Sequence, residues 1–286
     1  MPSFKLRTLP ELIRLNVSLA VTLSAFSAYV TAYGKITPKA FFITGVFFLA
    51  AGASALNQYQ ERVPDSKMNR THGRPVPAGY VSPATAVIIA LTLLLTGSGI
   101  LSCGLLWMTL GLGLFNILWY NGLYTWLKTR TAFAVVPGAL TGVIPLLMGW
   151  TAAGGSLTDP RLLLLSFFLF MWQIPHFWLL MLQYGDEYRL AGFPAITDVF
   201  TIRPVKNIIF SWITGATGSS LLLVLSGVWH SFLPKLLIPG LNAFLLFFFL
   251  HELLISKRSR YRLLFLLMNV FLFMVLCLLI ADKIIL

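Results

Sequence analysis

The chain is short of charge, of cysteine and of long hydrophilic stretches, and each shortage closes off a class of protein. Charged residues make up 10% of its 286 positions while 58% are apolar. A soluble globular domain carries roughly 25% charged residues, so a water-soluble globule is excluded. The two cysteines, Cys103 and Cys277, lie in or beside apolar runs without metal-ligand spacing. They read as packing residues, which excludes a disulfide scaffold and a thiolate metal centre. The longest hydrophilic connections, 60–83 and 184–207, leave no room for a soluble domain. Before the first apolar run stand Lys5, Arg7 and Arg14 but also Glu11, with no Ser/Arg-rich, acid-free leader. No cleaved signal or transit peptide is therefore expected, which favours a bacterial plasma membrane over an organelle.

What is present is a series of apolar runs near the ~20 residues that cross a bilayer as a helix. They fall at 15–33, 40–59, 84–101, 105–123, 132–153, 162–183, 208–228, 236–255 and 261–281. The expected fold is a single all-α domain over 1–286, a polytopic membrane bundle of about nine transmembrane helices. The net charge of +12 is not gathered on one surface, which argues against a nucleic-acid partner. Lys and Arg alternate by loop instead, 16 on one side and 5 on the other. The positive-inside rule then puts the amino terminus in the cytoplasm and, with nine spans, the carboxyl terminus outside. Both long loops, 60–83 and 184–207, fall on the cytoplasmic side.

Those two loops hold five of the nine carboxylates: Glu61, Asp65, Asp186, Glu187 and Asp198. In NQYQERVPDSKMNRTHGRP, Asn57, Glu61 and Asp65 recur every four residues, the spacing of one helix face. Grouped oxygen ligands suit Mg²⁺, and Mg²⁺ suits a diphosphate. Pro64 should end or kink the second span near Arg62, which loosens the placement of Asp65. The plainer alternative is solvated interfacial residues, against which Asn57 lies inside an apolar run and needs a partner. Lys67, Arg70, His72 and Arg74 follow. They suit diphosphate oxygens or, taken alone, anionic lipid headgroups.

The second loop begins with Asp186, Glu187, Tyr188 and Arg189, after a span holding Trp172, Gln173, Pro175 and His176. Each loop places acids first, then Arg, Gly and Pro, a weak sign of internal duplication. Pro175 frees a backbone carbonyl in mid-helix, and a buried Gln or His requires a partner. His176 reads equally as a substrate contact or as a packed core residue. Tyr124 and Lys128, at i and i+4 with Arg130 beside them, end the fourth span on the cytoplasmic side. They could bind a leaving diphosphate, or form an aromatic belt with a snorkelling lysine. Asp198 reads as a further carboxylate or as a turn cap. Asp159, Glu252 and Asp282 are assigned no chemistry.

The ordered segments NQYQERVPDSKMNRTHGRPVPAG, YTWLKTRTAFAVVPGALTGVIPLLMGW and WQIPHFWLLMLQYGDEYRLAGFPAI resemble the UbiA superfamily of intramembrane prenyltransferases, and within it the haem O synthases. The usual Asn-x-x-x-Asp-Arg-Asp-x-Asp pattern is altered here: Glu61 replaces the first Asp, Arg62 is kept, Val63 replaces the middle Asp and Asp65 matches the last. In the second loop Glu187 holds the acidic position before Tyr188, Asp186 is an extra acid, and Thr197-Asp198 stand where Pro-Val is common. The resemblance implies transfer of farnesyl from farnesyl diphosphate to a vinyl group of haem B. It implies Mg²⁺ held by Asn57, Glu61, Asp65, Asp186 and Glu187, with Lys128 joining them as a catalytic group. Diphosphate contacts would come from Arg62, Lys67, Arg70, Arg74, Tyr124, Arg130 and Arg189, and haem contacts from Trp172, Gln173 and His176. A haem A synthase or a terminal oxidase would be a natural partner. Two alternatives stay open, a UbiA-type enzyme for an aromatic or quinone-precursor acceptor, and a transporter whose path is marked by Asn57, Gln173 and His176.

Overall fold

The structure, a computed structural model, describes residues 8–35 and 41–284. The start of the second expected span at residue 40, and Lys5, Arg7 and Lys39 of the loop-charge count, lie outside the described residues. In lipid every peptide group must be satisfied within the chain, and the helix does this locally. The long helices are α1 (Leu15–Tyr33), α2 (Phe42–Gln60), α3 (Pro83–Cys103), α4 (Trp107–Ile117), α5 (Val135–Ala152), α6 (Pro160–Leu190), α7 (Ile202–Leu225), α8 (Phe232–Leu250) and α9 (Tyr261–Ile284). Among the described residues there is no strand.

Among the described residues seven helices are long and apolar enough to cross a membrane, two fewer than the nine spans expected. The two that fall out are α2 and α4. The last turn of α2 carries Asn57, Gln58 and Gln60, which dilute its apolarity. The α4 helix stops after 11 residues because the chain widens into a π-helix over Leu118–Tyr124 before a last α turn, Thr125–Lys128. A π segment leaves carbonyls without their usual partner, and here the Gln60 amide donates to Asn121 O at 2.9 Å. Asn121 Nδ2 in turn donates to Ala53 O and Gln60 Oε1, both at 3.0 Å.

One boundary agrees with expectation and one differs. The break after α2 falls at Glu61, with φ −94° and ψ 10°, next to Arg62, near which it was expected. Pro64 then lies in the first turn of the short helix Arg62–Ser66, where a missing N–H costs nothing. The α6 helix runs 31 residues, past the expected end at 183, and bends at Tyr184, where φ is −122° and ψ 24°. The second loop therefore starts as helix.

Between helices in lipid there is little hydrophobic drive, so close backbone approach through small residues matters. On α3 a Cβ at Gly97 would stand 2.8 Å from Gly45 O of α2, and one at Gly149 of α5 would collide with the Ala25 carbonyl of α1. Larger side chains fill the rest: Trp150, Phe168 and Phe249 are buried among α5 to α9. Tyr29, Phe42 and Leu101 fill a second core among α1, α2, α3 and α5. Asp159, Glu252 and Asp282 prove structural. Asp159 caps α6 by accepting from Arg161 N at 2.9 Å, Glu252 accepts from Arg260 NH2 at 2.6 Å, and Asp282 accepts from Ser231 N at 2.8 Å ahead of α8.

Candidate active site

One cavity of about 390 Å³ opens inside the bundle, in the size range of small-molecule sites. Its two ends differ in chemistry. Glu61, Asp65, Arg14, Arg70, Arg74 and Lys128 gather at one end, while Gln173, His176, Phe177, Met148 and Leu49 line the apolar remainder.

The charged end is built where α2 breaks. Lys128, delivered by the turn after the π-helix, donates to Glu61 Oε1, and Arg14 NH2 lies 3.9 Å from Glu61 Oε2. Burial opposes charge on Glu61, yet Lys128 and Arg14 hold its carboxyl below the usual range. Burial likewise opposes charge on Lys128, and Glu61 nevertheless holds its ammonium above the usual range. Asp65, 1% exposed, accepts from Arg74 NH1 at 2.6 Å. Burial, then repulsion from Arg14, lowers the pKa of Arg74. Asn57 is fully buried behind Glu61; its Nδ2 donates to Thr125 Oγ1 at 3.3 Å, and its Oδ1 has no protein partner.

The other expected contributors separate into those facing the cavity and those elsewhere. Tyr124 lines it, with Lys128 Nζ 4.9 Å from the ring centroid and the ring pressed on Gly138, where a Cβ would collide. Arg70 and Arg74 line it as well. Glu187 is instead a tie between the loops: its Oε2 accepts from the Arg70 backbone N–H at 3.0 Å. Met68, Ala191, Phe193 and Tyr188 pack beside that tie. Asp186 points away, its side chain 96% exposed and paired with Arg189 at 3.0 Å. Arg189 also binds Asp198 at 2.6 Å, and Asp198 caps the turn by accepting from Ala195 N at 2.8 Å. Arg62 folds back onto the Tyr59 ring and carbonyl, Lys67 is exposed, and Arg130 stacks on Trp126. Trp172 is buried and donates to Met268 O at 2.8 Å, outside the lining. The expected convergence of both loops' acids on one point is thus corrected. Only Glu61 and Asp65 face the cavity, because the bend at Tyr184 carries Asp186 outward. Among the described residues no three His, Cys, Asp or Glu side chains are grouped to hold a metal ion by themselves.

Arg14 and Tyr120 belong to the site although the motifs did not single them out. Arg14 adopts a left-handed backbone, φ 46° and ψ 59°, uncommon for a residue with a Cβ. Its NH1 donates to Tyr120 OH at 3.2 Å, and its Nε is buried without a partner. The available signal was spacing: Tyr120, Tyr124 and Lys128 repeat every four residues, and Arg14 borders the first apolar run on the same side.

Together the fold and cavity define a membrane-embedded, all-helical site whose charged end suits a metal-bound anion and whose body suits apolar ligands. The model of the UbiA prenyltransferase family matches residues 18–279, and the chain belongs to that family. Over 204 residues it is 40% identical to the protoheme IX farnesyltransferase of Geobacter sulfurreducens, covering 69% of this chain and 75% of that one. Among solved structures it resembles digeranylgeranylglyceryl phosphate synthase, with a TM-score of 0.77 and 16% identity over 97% of this chain and 98% of that one. It also resembles a UbiA homolog from Archaeoglobus fulgidus bound to GPP and Mg²⁺, with a TM-score of 0.71 and 14% identity over 96% of this chain and 98% of that one. At those identities the structural likeness speaks for the fold.

Proposed function

We propose that this chain transfers a farnesyl group from farnesyl diphosphate to a vinyl group of haem B, yielding haem O and diphosphate. The observation that carries the reading is the two-ended cavity, with four cations and two carboxylates at one end of an apolar chamber. Kinship with protohaem IX farnesyltransferases supports the acceptor.

Mg²⁺ is commonly held by one or two carboxylates plus substrate phosphates. Glu61, Asp65 and the unpartnered Asn57 Oδ1 meet that description. When bound there, Mg²⁺ would act as a Lewis acid on the departing diphosphate. Arg14, Arg70, Arg74 and Lys128 supply fixed positive charge where the diphosphate takes the electron pair of the broken C–O bond. The faces of Tyr120 and Tyr124 favour the allylic cation that remains. The vinyl π electrons then form the new C–C bond, and the electron-poor vinyl carbon takes hydroxyl from one water, which loses a proton. Apolar walls around Met148 and Phe177 keep other water away from the cation.

The alternation of loop charge supports a cytoplasmic amino terminus and a site facing the cytoplasm of a bacterial plasma membrane. A haem A synthase or terminal oxidase would be the natural recipient of the product. Incubating membranes with farnesyl diphosphate, Mg²⁺ and haem B tests the reading, with the pigment identified by mass. Farnesylated haem is expected; its absence alongside a prenylated aromatic acid, or no transfer at all, would overturn it.

A further inference from the structure

The apolar end of the cavity holds a histidine in an unusual setting. His176 stacks against Trp172 and Phe265, each ring centroid 4.6 Å away and each plane tilted by 31° and 35° respectively. Two aromatic rings this close on the imidazole restrict its plane. Phe177 meets it edge-on at 5.4 Å. Nδ1 is buried without a hydrogen-bond partner, while His176 still lines the cavity, so access runs through the Nε2 edge. A histidine serving only as packing would hide both nitrogens or pair them; this one is clamped and presents an edge.

We infer that His176 ligates the iron of the acceptor haem through Nε2 and thereby sets where the reacting vinyl group stands. The inference rests on the haem reading above and adds to it the anchoring atom. Metal-bound histidines ordinarily donate their other ring nitrogen to a carboxylate or carbonyl, which strengthens the bond. The Nδ1 of His176 has no such acceptor, so the bond to iron is weak, as suits a substrate that must leave. Position agrees as well. Phe177 lies 5.4 Å from His176 and 6.3 Å from Tyr124, so the imidazole stands two rings from the charged end. A vinyl group projects from the porphyrin rim, several bonds from the iron, and can bridge that interval.

The test compares wild type with His176→Phe, which keeps an aromatic ring between Trp172 and Phe265 but cannot ligate. Wild type is expected to give ferric haem a nitrogen-ligated absorption spectrum, and the variant to lose it. The variant's KM for haem B should rise at least tenfold while its KM for farnesyl diphosphate stays unchanged. Iron-free protoporphyrin IX should bind both proteins equally, as measured by fluorescence titration. In His176→Gly, added imidazole should restore the spectrum, which covers a failure of the phenylalanine variant to fold. A wild-type spectrum in His176→Phe, or equal weakening for haem and iron-free porphyrin, would overturn the ligation. If wild type forms no farnesylated haem, the functional reading fails, while the spectra still decide the ligand.

Discussion

The two charged loops look alike in sequence and do opposite work. Each runs from acids through Arg and Gly to Pro, yet Asp65 is 1% exposed on the cavity and the Asp186 side chain is 96% exposed on the outer surface. What differs is the helix before each loop. The α2 helix breaks at Glu61, and the short helix that follows keeps Asp65 over the cavity. The α6 helix bends at Tyr184 but stays helical to Leu190, which carries Asp186 outward and leaves Glu187 to hold Arg70 from the side. An acid in a loop is given its role by how the preceding helix stops.

Substitutions in the two loops would sharpen or break this contrast. The largest effect is expected from Asp65→Asn and Glu61→Gln: product formation in membranes should fall by about 100-fold or more, on the scale of a lost electrostatic contact to the transition state, while insertion is kept. Haem O synthesis at the wild-type rate in either variant would remove the metal-site argument. Next comes Lys128→Met, which leaves Glu61 with Arg14 alone. Removing one partner of a buried pair costs about 3–5 kcal/mol, and thermal unfolding in detergent of wild type, Lys128→Met, Glu61→Gln and the double variant should show a double loss smaller than the sum of the two single losses. Additive losses would mean the pair is not coupled.

Glu187→Gln should cost less, below about tenfold in rate, since a charge-assisted hydrogen bond of ~1.5–3 kcal/mol is weakened and not removed. The loss should appear as a higher KM for farnesyl diphosphate, because Arg70 is what Glu187 positions; a loss as deep as that of Asp65→Asn would make it a ligand after all. Asp186→Asn should stay within about twofold of wild type, as exposed ion pairs contribute little. The smallest signal concerns pH. Glu61 titrates below its usual range, so the stabilisation from its charge is complete above the ordinary glutamate value of ~4.3 and lost as pH falls through the depressed one. The stability gap between wild type and Glu61→Gln should therefore be flat from about pH 6 to 8; a gap that already narrows there would contradict the pairing.

Much of the bundle was legible because lipid imposes long apolar runs, and the span expected at 15–33 coincides with α1. The charged end was legible at Glu61, Asp65, Arg74 and Lys128, whose spacing and charge stand out in a chain with nine carboxylates. Three things were not. The bend at Tyr184 has no proline to announce it, so Asp186 and Glu187 were expected at the metal. Arg14 reaches the site through a left-handed turn that no local propensity favours. Arg62, Lys67, Arg130 and Arg189 share their side-chain chemistry with the cations that line the cavity, and only packing shows them turned to Tyr59, solvent, Trp126 and Asp198.

The π-helix at Leu118–Tyr124 has one more consequence. A single residue turns an α-helix by about 100°, so the wide turn acts as a phase shifter inserted in the rod. Deleting one residue within 118–123 would let the rod relax to plain α geometry and still lie against α2. Because the wide turn already absorbs about one extra residue, Tyr124 and Lys128 would keep their facing, and what is lost is the freed carbonyl that Gln60 reaches; straightening the turn with no residue removed would instead swing both side chains out of phase by about 100°.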